Sequence, residues 1–433
     1  MVVGLYASLG TGFVLDDWYT LRNAHFDGAL AAAGEDQRLA RPGAWLVYAV
    51  VFGVIGPHPA VVLVLQGAVV AATAVLLVLV LRRFLPSPLA TLAAALWVML
   101  PNHTSLEAWA SASNIALALL LGVAGCFLLG RSELGTAGIA GAAVLMATAA
   151  LCYEAVIPAA LLAALALPWL ADGRPRWAPV VAVGTGLVLV ATWILTHWHP
   201  GKPVTIGETD LTQAVGAHLG WGVVPAGVAA DLVTLVGLAG VTLAVARVVL
   251  PSQRGRAGPA EWCVVAGLVV IGVGTVPFAF YLYAPLGAGD RLTVVSSVGG
   301  AMVWAGLVGM AWAWHRLAGA VGLAALVALS AAVRVERAVL WHRAGRDAVA
   351  ILDGIRERFP EPTGTIVIGP EPIQRDNIAA FVDQSNIDAA VQLVYGDPSV
   401  RGGITFSVEQ FEQYPPDQRF DIRTVSQLQP SQR

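Results

Sequence analysis

Two adjacent carboxylates follow the first apolar stretch of this sequence. Asp16 and Asp17 come directly after residues 2–15 and before Trp18. A carboxylate at a membrane surface can act as a general base by taking a proton from a hydroxyl group. The alternative is structural, because an Asp can also accept backbone N–H bonds at the start of a helix, here residues 18–30. Adjacent side chains on a helix point about 100° apart, so one Asp can cap the helix while the other faces a cavity.

Further ionisable side chains are candidates for substrate binding: Arg41, His58, Glu107, Glu154, Asp290 and Arg291. An arginine can bind a phosphate through two parallel hydrogen bonds, although Arg41 is equally suited to anchor the chain at lipid headgroups. The structural alternatives are a solvated loop for Glu107 and a tight turn for Glu154. Together with Glu107, the two aspartates could also hold a divalent metal ion such as Mg²⁺ or Mn²⁺.

The elements that carry these residues are membrane helices. The chain has 57% hydrophobic residues, 12% charged residues and a mean hydropathy of +0.72, whereas soluble domains carry about 25% charged residues. A helix needs about 20 mostly apolar residues to cross a bilayer. This rule predicts eleven spans, near residues 2–15, 59–81, 88–100, 114–130, 136–152, 155–170, 178–196, 231–250, 261–283, 293–313 and 316–333. Residues 2–15 would be only about 21 Å long, so we expect the first helix to begin upstream of Met1.

The charges in the loops predict the orientation. Positively charged residues in short loops tend to lie in the cytoplasm. With eleven spans, nine arginines fall in one set of loops and five Lys or Arg residues in the other. This places residues 16–43 and the C-terminal region outside the cytoplasm. Eleven acidic residues fall on the same outer side and three on the cytoplasmic side, and the orientation rule does not produce that imbalance.

The composition also argues against several classes of protein. A net charge of -3 without a basic stripe argues against a nucleic-acid partner. Three cysteines within or beside apolar runs indicate neither a disulfide framework nor a zinc site. The single lysine and the dominance of Ala, Gly, Val and Arg indicate a bacterial source with a GC-rich genome.

The last hundred residues resemble an ordinary soluble sequence and predict a small α/β domain from 334 to 433. Helical periodicity covers residues 334–359, and residues 376–383 have the composition of a helix start. Strands are predicted at 365–368, 391–395, 404–408 and 420–425. The domain has no evident catalytic set. It is interpreted as a lid or an acceptor-recognition element, with a purely structural cap equally compatible with the sequence.

Four short motifs, taken in order, resemble those of a known family. They are Asp16-Asp17 with Arg41-Pro42 after it, residues 100–109 with Glu107 close to Trp109, residues 152–158 with Glu154, and residues 289–297 with Arg291. Over residues 1–330 the chain resembles the membrane glycosyltransferases of the GT-C fold, and in particular the dolichyl-phosphate-mannose–protein mannosyltransferases and the bacterial aminoarabinose and arabinosyl transferases. Tyr153 stands where that family has a Lys, which removes a phosphate contact.

The resemblance implies an inverting transferase that uses a polyprenyl-phosphate sugar and an acceptor outside the cytoplasm. Asp16 or Asp17 would be the base, and Arg41, Arg291 and His58 would stabilise the departing lipid phosphate. The fold class is therefore predicted to be a polytopic α-helical membrane protein, with a GT-C-like domain at 1–333, a first outer loop at 16–43 and the soluble domain at 334–433. A transporter or flippase of a lipid-linked or small polar substrate is the main alternative, and a non-catalytic membrane relative is the other.

Overall fold

The structure is a computed structural model. It describes residues 12–131, 133–172, 176–197, 228–250, 257–275, 277, 291–362, 364–370, 374–375, 378–381 and 383–425.

Helices dominate the described residues. In chain order they are α1 (Asp17–Asp27), α2 (Glu35–Ala40), α3 (Pro42–Tyr48), α4 (Pro59–Leu81), α5 (Ser87–Met99), α6 (Ser105–Ala108), α7 (Ser113–Leu129), α8 (Thr136–Cys152), α9 (Ile157–Asp172), α10 (Trp177–His197), α11 (Val228–Val249), α12 (Pro259–Thr275), α13 (Val294–Trp314), α14 (Arg316–Arg358), α15 (Gln384–Tyr395) and α16 (Val408–Glu412). A π-helical segment, Ala49–Ile55, continues α3.

Six helical segments of the described chain are long and apolar enough to cross a membrane. They are Pro59–Leu81, Ala110–Leu129, Glu154–Ala171, Trp177–His197, Arg291–Trp314 and Arg316–Arg358. Exposed Val and Leu side chains on these helices, such as Val75, Val188 and Leu195, suit contact with lipid tails. The prediction of a helical membrane protein is therefore confirmed.

The count of eleven spans is not confirmed. Four of the other predicted spans coincide with apolar helices of 10–17 residues, namely Ser87–Met99, Thr136–Cys152, Gly237–Val249 and Pro259–Thr275. Most of the predicted first span lies outside the described residues. Ser87–Met99, Thr136–Cys152 and Pro259–Thr275, with 13 to 17 residues, fall below the length that a perpendicular crossing of about 30 Å requires. Gly237–Val249 is the end of α11, which has 22 residues.

By packing, the chain forms two compact units. The first unit comprises the described residues of 1–67, 107–113 and 338–433, and the second those of 68–106 and 114–337. This division differs from the predicted boundary at 333/334, because α14 continues through that position without a break from Arg316 to Arg358. With 43 residues, α14 is about 64 Å long, roughly twice the thickness of the hydrocarbon core.

The core of the first unit joins the first loop to the C-terminal region. Phe13, Trp18 and Phe52 share one apolar cluster with Ile351 of α14 and Phe381. The rings of Phe13 and Trp18 meet edge to face with centroids 5.9 Å apart, and Trp18 also contacts Phe381 at 6.0 Å. The loop after the first apolar segment is therefore an integral part of a folded unit.

The C-terminal region of this unit contains two small sheets. Their strands are β1 (Thr365–Gly369), β2 (Gln374–Arg375), β3 (Ile378–Ala379), β4 (Arg401–Ile404) and β5 (Arg419–Asp421). β1 lies between β4 and β5 and is parallel to both, while β2 and β3 form a two-stranded antiparallel pair. The strand predicted at 365–368 is confirmed.

The helix predicted at 334–359 is confirmed as the C-terminal part of α14, which ends at Arg358. The other secondary-structure predictions for this region are wrong in whole or in part. Residues 391–395 belong to helix α15, and the helix begins at Gln384 instead of within 376–383. Only Ile404 of the strand predicted at 404–408 lies in β4, and the strand predicted at 420–425 ends at Asp421. The apolar residues of 391–395 fit a strand in isolation, whereas Ile387, Ala390 and Val391 continue the pattern at helical spacing.

Capping explains where α15 begins and ends. The Asp383 side chain accepts hydrogen bonds from the backbone N–H groups of Ser385 and Asn386, and Gly396 ends the helix in the left-handed conformation at φ 63°. These are the groups that helix termini require. The cap fixes the position of α15, which lines a cavity described below.

The second unit is held together by close contact between α12 and α13. Gly267 of α12 faces Gly299 of α13, and a Cβ atom at Gly267 would lie 2.6 Å from the Gly299 carbonyl oxygen. Small residues let membrane helices approach closely enough for van der Waals packing to stabilise them.

Candidate active site

The Asp16–Asp17 pair lies at a sharp turn into α1. Leu15 is the one non-glycine residue with a positive φ (56°) in the described chain, and its backbone N–H donates to the Ala380 carbonyl at 3.3 Å. Asp16 occupies the N-cap position, but its side chain makes no capping hydrogen bond. The predicted capping role is therefore wrong for Asp16. A backbone held in a sparsely populated conformation is often found at functional sites.

Asp17 is buried, with 1% of its surface exposed. Its Oδ1 accepts hydrogen bonds from the Ser111 backbone N–H at 2.8 Å and from the Ser111 hydroxyl at 2.5 Å. Its Oδ2 accepts a longer bond, 3.3 Å, from the Val14 backbone N–H. These donors lie outside α1, so Asp17 joins the loop before the helix to residue 111, far along the chain.

The segment that supplies Ser111 is itself held in place. Ser111 lies in the 3-10 helix Ala110–Ala112, and its carbonyl accepts a hydrogen bond from the Tyr48 hydroxyl at 3.0 Å. Gln66 Nε2 donates to the Trp109 carbonyl at 3.1 Å. Trp109 stacks on Trp341 with ring centroids 6.4 Å apart. The position of the Asp17 carboxylate is thus fixed by both hydrogen bonds and packing.

Burial changes the acidity of Asp17. Desolvation, assisted by the negative charge of Asp16, raises the pKa of the Asp17 carboxyl from 3.8 to about 7, although the hydrogen bonds from Ser111 and Val14 oppose the rise. An ordinary aspartate is too weak a base to take a proton efficiently from a hydroxyl at neutral pH. A carboxylate with a pKa near the working pH is matched to general-base catalysis.

Three other residues that were predicted to bind substrate also lie in the first unit. Glu107 is half-buried on α6, four residues before Ser111. Arg41 is half-buried at the N-cap position of α3, and His58 is exposed in the turn that precedes α4. Their predicted roles in substrate binding stay predictions.

Two predicted residues lie on neighbouring elements of the second unit. Glu154 begins a 3-10 helix, and the hydroxyl of Tyr153, just before it, donates to the Arg291 carbonyl at 3.2 Å. Asp290 lies outside the described residues. Asp17 and Arg291 belong to different units, and the predicted roles of Glu154, Asp290 and Arg291 in substrate binding stay predictions.

A buried polar loop between α5 and α6 was missed by the sequence reasoning. His103 is fully buried, stacks on Trp97 with ring centroids 4.9 Å apart, and lies 3.2 Å from Asn102 Oδ1. Burial, assisted by the positive charge of Arg334, lowers the pKa of His103 well below its ordinary value, so the imidazole is neutral. Arg334 is also buried and donates to the Leu100 carbonyl at 3.1 Å.

Sequence signals for the missed residues were weak. Ser111 lies in a short run of alternating alanine and serine between Trp109 and Asn114, which does not indicate a partner for Asp17. Arg334 was assigned to the start of the soluble domain. Both residues acquire their roles from contacts between distant parts of the sequence.

The structure does not bring Asp16, Asp17 and Glu107 together as a metal-binding group, and a divalent metal cofactor stays a prediction. In the described part of the chain, no group of three or more His, Cys, Asp or Glu is arranged to hold a metal ion. Both oxygens of Asp17 instead accept hydrogen bonds from Ser111 and Val14. The mechanism proposed below uses no metal.

Comparison of the chain with protein-family models, with curated proteins and with solved structures gives no match.

Proposed function

We propose that this membrane protein is an inverting glycosyltransferase that moves a sugar from a polyprenyl-phosphate donor to an acceptor hydroxyl outside the cytoplasm. The observation that carries the proposal is the buried Asp17 carboxylate, held by Ser111 and Val14 with a pKa near 7. The resemblance of the short motifs to GT-C transferases supplies the donor class.

Asp17 acts as the general base in this proposal. Its carboxylate accepts the proton of the acceptor hydroxyl while the hydroxyl oxygen attacks the anomeric carbon of the donor sugar. The bond between that carbon and the phosphate oxygen breaks, and the polyprenyl phosphate departs with the electron pair. Attack from the face opposite the leaving group inverts the anomeric centre. Asp17 then releases the proton to water.

Ser111 orients the base. Its N–H and hydroxyl both donate to Oδ1 of Asp17, which leaves Oδ2 with the single long bond from Val14. Because a weakly bonded carboxylate oxygen is the more basic one, we assign proton transfer to Oδ2. Hydrogen bonds from Ser111 also keep the pKa of Asp17 from rising further.

The remaining candidates divide between the two ends of the donor. Arg41, His58 and Arg291 are proposed to stabilise negative charge on the departing phosphate, since arginine matches phosphate geometry. Glu107, Glu154 and Asp290 are proposed to accept hydrogen bonds from sugar hydroxyls. The polyprenyl chain would lie along the exposed apolar helices.

The test is transfer by the purified full-length protein in lipid nanodiscs. A panel of radiolabelled polyprenyl-phosphate sugars is supplied as donors, and a cell-envelope glycan extract as acceptor. Asp17→Asn should lower kcat by about 100- to 10,000-fold with donor binding unchanged. Asp397→Asn, which alters an exposed turn, is the matched control.

Two results would contradict the proposal. Near-normal transfer by Asp17→Asn would remove the base from the mechanism. The same purified protein can also be reconstituted in liposomes. Movement of labelled lipid-linked sugar across the liposome bilayer, with no sugar transferred to the acceptor, would favour a flippase.

A further inference from the structure

A polar cavity of about 560 Å³ lies within the first unit, between α1 and α15. One wall is formed by the side of α1 that carries Tyr19, Arg22 and Asn23, and the other by Asp388 and Gln392 of α15. Apart from the aromatic ring of Tyr19, which is 41% exposed, the side chains named here are hydrogen-bonding groups. The role of this cavity is not part of the mechanism above.

A hydrogen-bond network fixes the polar groups of the cavity. Arg22 Nε donates to Gln392 Oε1 at 2.7 Å, and Gln392 Nε2 donates to Asp388 Oδ2 at 3.0 Å. Arg401 donates to the same Asp388 oxygen at 3.0 Å, and Arg22 donates to Asp27 at 2.5 Å. The walls are therefore preorganised, which reduces the entropy lost when a ligand binds.

The charges of the lining are largely compensated. The lining carries three arginines and two aspartates. Arg22 pairs with Asp27, Arg401 pairs with Asp388, and Arg38 is the third arginine. A site built for a phosphate would present arginines toward the ligand without carboxylates beside them. Paired charged groups that retain further hydrogen-bond donors and acceptors suit a neutral ligand rich in hydroxyl groups. The ring of Tyr19 can pack against an apolar face of such a ligand.

The cavity and the proposed base share one helix. Asp17 lies in the first turn of α1 and Arg22 five residues later, which separates them by about 7.5 Å along the helix axis. Five residues at about 100° each also place Arg22 about 140° around the helix from Asp17, so a ligand in the cavity has to extend around the N-terminal end of α1 to bring a hydroxyl to Asp17. The same short helix thus positions both a binding wall and a carboxylate.

From this geometry we infer that the cavity binds a neutral oligosaccharide, and that this oligosaccharide is the sugar acceptor. The second part rests on the proposed glycosyltransferase function, whereas the first does not. In this arrangement the first loop and the C-terminal region together form an acceptor site.

Gly34 offers a direct way to block the cavity. It lines the cavity with a negative φ (-59°), and a Cβ atom there would meet only the Tyr19 hydroxyl, 3.9 Å away. Gly34→Phe should fill the space without straining the backbone. Gln37→Phe adds the same ring to an exposed position on α2 that does not line the cavity, and is the matched control.

Binding is measured first, without any transfer reaction. Mannotriose, maltotriose, α-1,5-arabinotriose and chitotriose are titrated at up to millimolar concentration into the full-length protein in nanodiscs, and saturation-transfer NMR detects contact. At least one should bind, with the affinity lowered about tenfold or more by Gly34→Phe and unchanged by Gln37→Phe. Tyr19→Ala should lower the oligosaccharide affinity by a similar factor, whereas Tyr414→Ala at an exposed position should leave the affinity unchanged. The tyrosine pair decides the test if Gly34→Phe does not fold.

Each other outcome of the binding test overturns the inference. Binding of none of the oligosaccharides does so, as does binding that neither Gly34→Phe nor Tyr19→Ala weakens. Cavity-dependent binding of inorganic tripolyphosphate in preference to every oligosaccharide would instead assign an anionic ligand.

The acceptor assignment has its own measurement. In the transfer assay, Gly34→Phe should raise the KM for the acceptor about tenfold and change kcat less than twofold. An unchanged KM would overturn the acceptor assignment while leaving the proposed transferase intact. Conversely, cavity-dependent oligosaccharide binding by a protein that transfers no sugar would refute the transferase and leave the binding site in place.

Discussion

At the scale of single residues, the acidity of Asp17 depends on two neighbours with opposite effects. The charge of Asp16 raises its pKa, after the larger contribution of burial, and the hydrogen bonds from Ser111 lower it. In a general-base mechanism, the rate rises with pH as the base loses its proton. The pKa of Asp17 therefore determines the acid limb of the pH–rate profile.

Substitution of these two neighbours should move that limb in opposite directions. Asp16→Asn removes a negative charge and should shift the acid limb of kcat to lower pH. Ser111→Ala removes the hydroxyl bond to Oδ1 and should shift it to higher pH. The measurement is kcat from pH 5 to 9, with Asp397→Asn as control. Shifts in the same direction for both variants would mean that Asp17 is not the titrating base.

The stability of the protein should depend on Asp17 over the same range of pH. Its pKa is raised on folding, so between pH 4 and 7 the folded state binds more protons than the unfolded state. Wild-type stability is then fully present below about pH 4 and is lost as the pH rises toward 7. The full effect is about 4 kcal/mol at most.

Asp17→Asn removes this titration and isolates its effect. The melting temperature of the variant relative to the wild type should rise between pH 4 and 7, whatever the absolute difference at pH 4. Thermal unfolding in detergent at matched ionic strength measures it. A constant difference across this range would show that Asp17 does not titrate there.

At the scale of secondary-structure elements, small residues determine how close the helices of the second unit come. Gly267 and Gly272 both lie in α12, but only Gly267 faces α13 closely. A Cβ atom at Gly267 would overlap the Gly299 carbonyl. A Cβ atom at Gly272 would have no atom of the described residues within 4 Å, apart from its chain neighbours and the nearby backbone of α12.

This contrast gives a matched pair of substitutions. Gly267→Ala should force α12 and α13 apart and lower the melting temperature. Gly272→Ala should be neutral or slightly stabilising, because alanine is about 1 kcal/mol more favourable than glycine inside a helix. Equal effects of the two substitutions would contradict the close packing of α12 on α13.

At the scale of the whole molecule, the proposed chemistry requires one orientation in the membrane. The loop at 16–43 and the C-terminal region share one apolar core, so they must lie on the same side of the bilayer. The distribution of arginines in the loops predicts that this side is outside the cytoplasm.

Accessibility to a reagent that does not cross membranes tests this orientation. Gln37→Cys, Asp417→Cys and Arg82→Cys are made one at a time in a background without the three native cysteines. All three positions are exposed. In intact cells the first two should react with an impermeant thiol reagent, and Arg82→Cys should react only after lysis. The reverse pattern would place the proposed site in the cytoplasm, away from a donor on the outer face.

The sequence by itself determined the membrane class and the approximate positions of the helices. Residues 59–81, for example, are predicted as one span and form the single helix α4. This succeeds because a membrane helix satisfies its backbone hydrogen bonds internally, so local hydrophobicity is sufficient to specify it. The Asp16–Asp17 pair was singled out from the sequence because two adjacent carboxylates follow an apolar stretch, and its catalytic role stays a prediction.

Only the tertiary structure distinguished Asp17 from Asp16 and assigned it Ser111 as a partner, 94 positions along the chain. It also joined the first loop to the C-terminal region and formed the cavity between α1 and α15.

The reason is physical. Burial, pKa and cavity shape depend on which distant segments pack together, and a short segment such as residues 109–113 carries no local signal of its partner. The error at residues 391–395 has the same origin, because five apolar and polar residues fit either a strand or a helix until their neighbours are included.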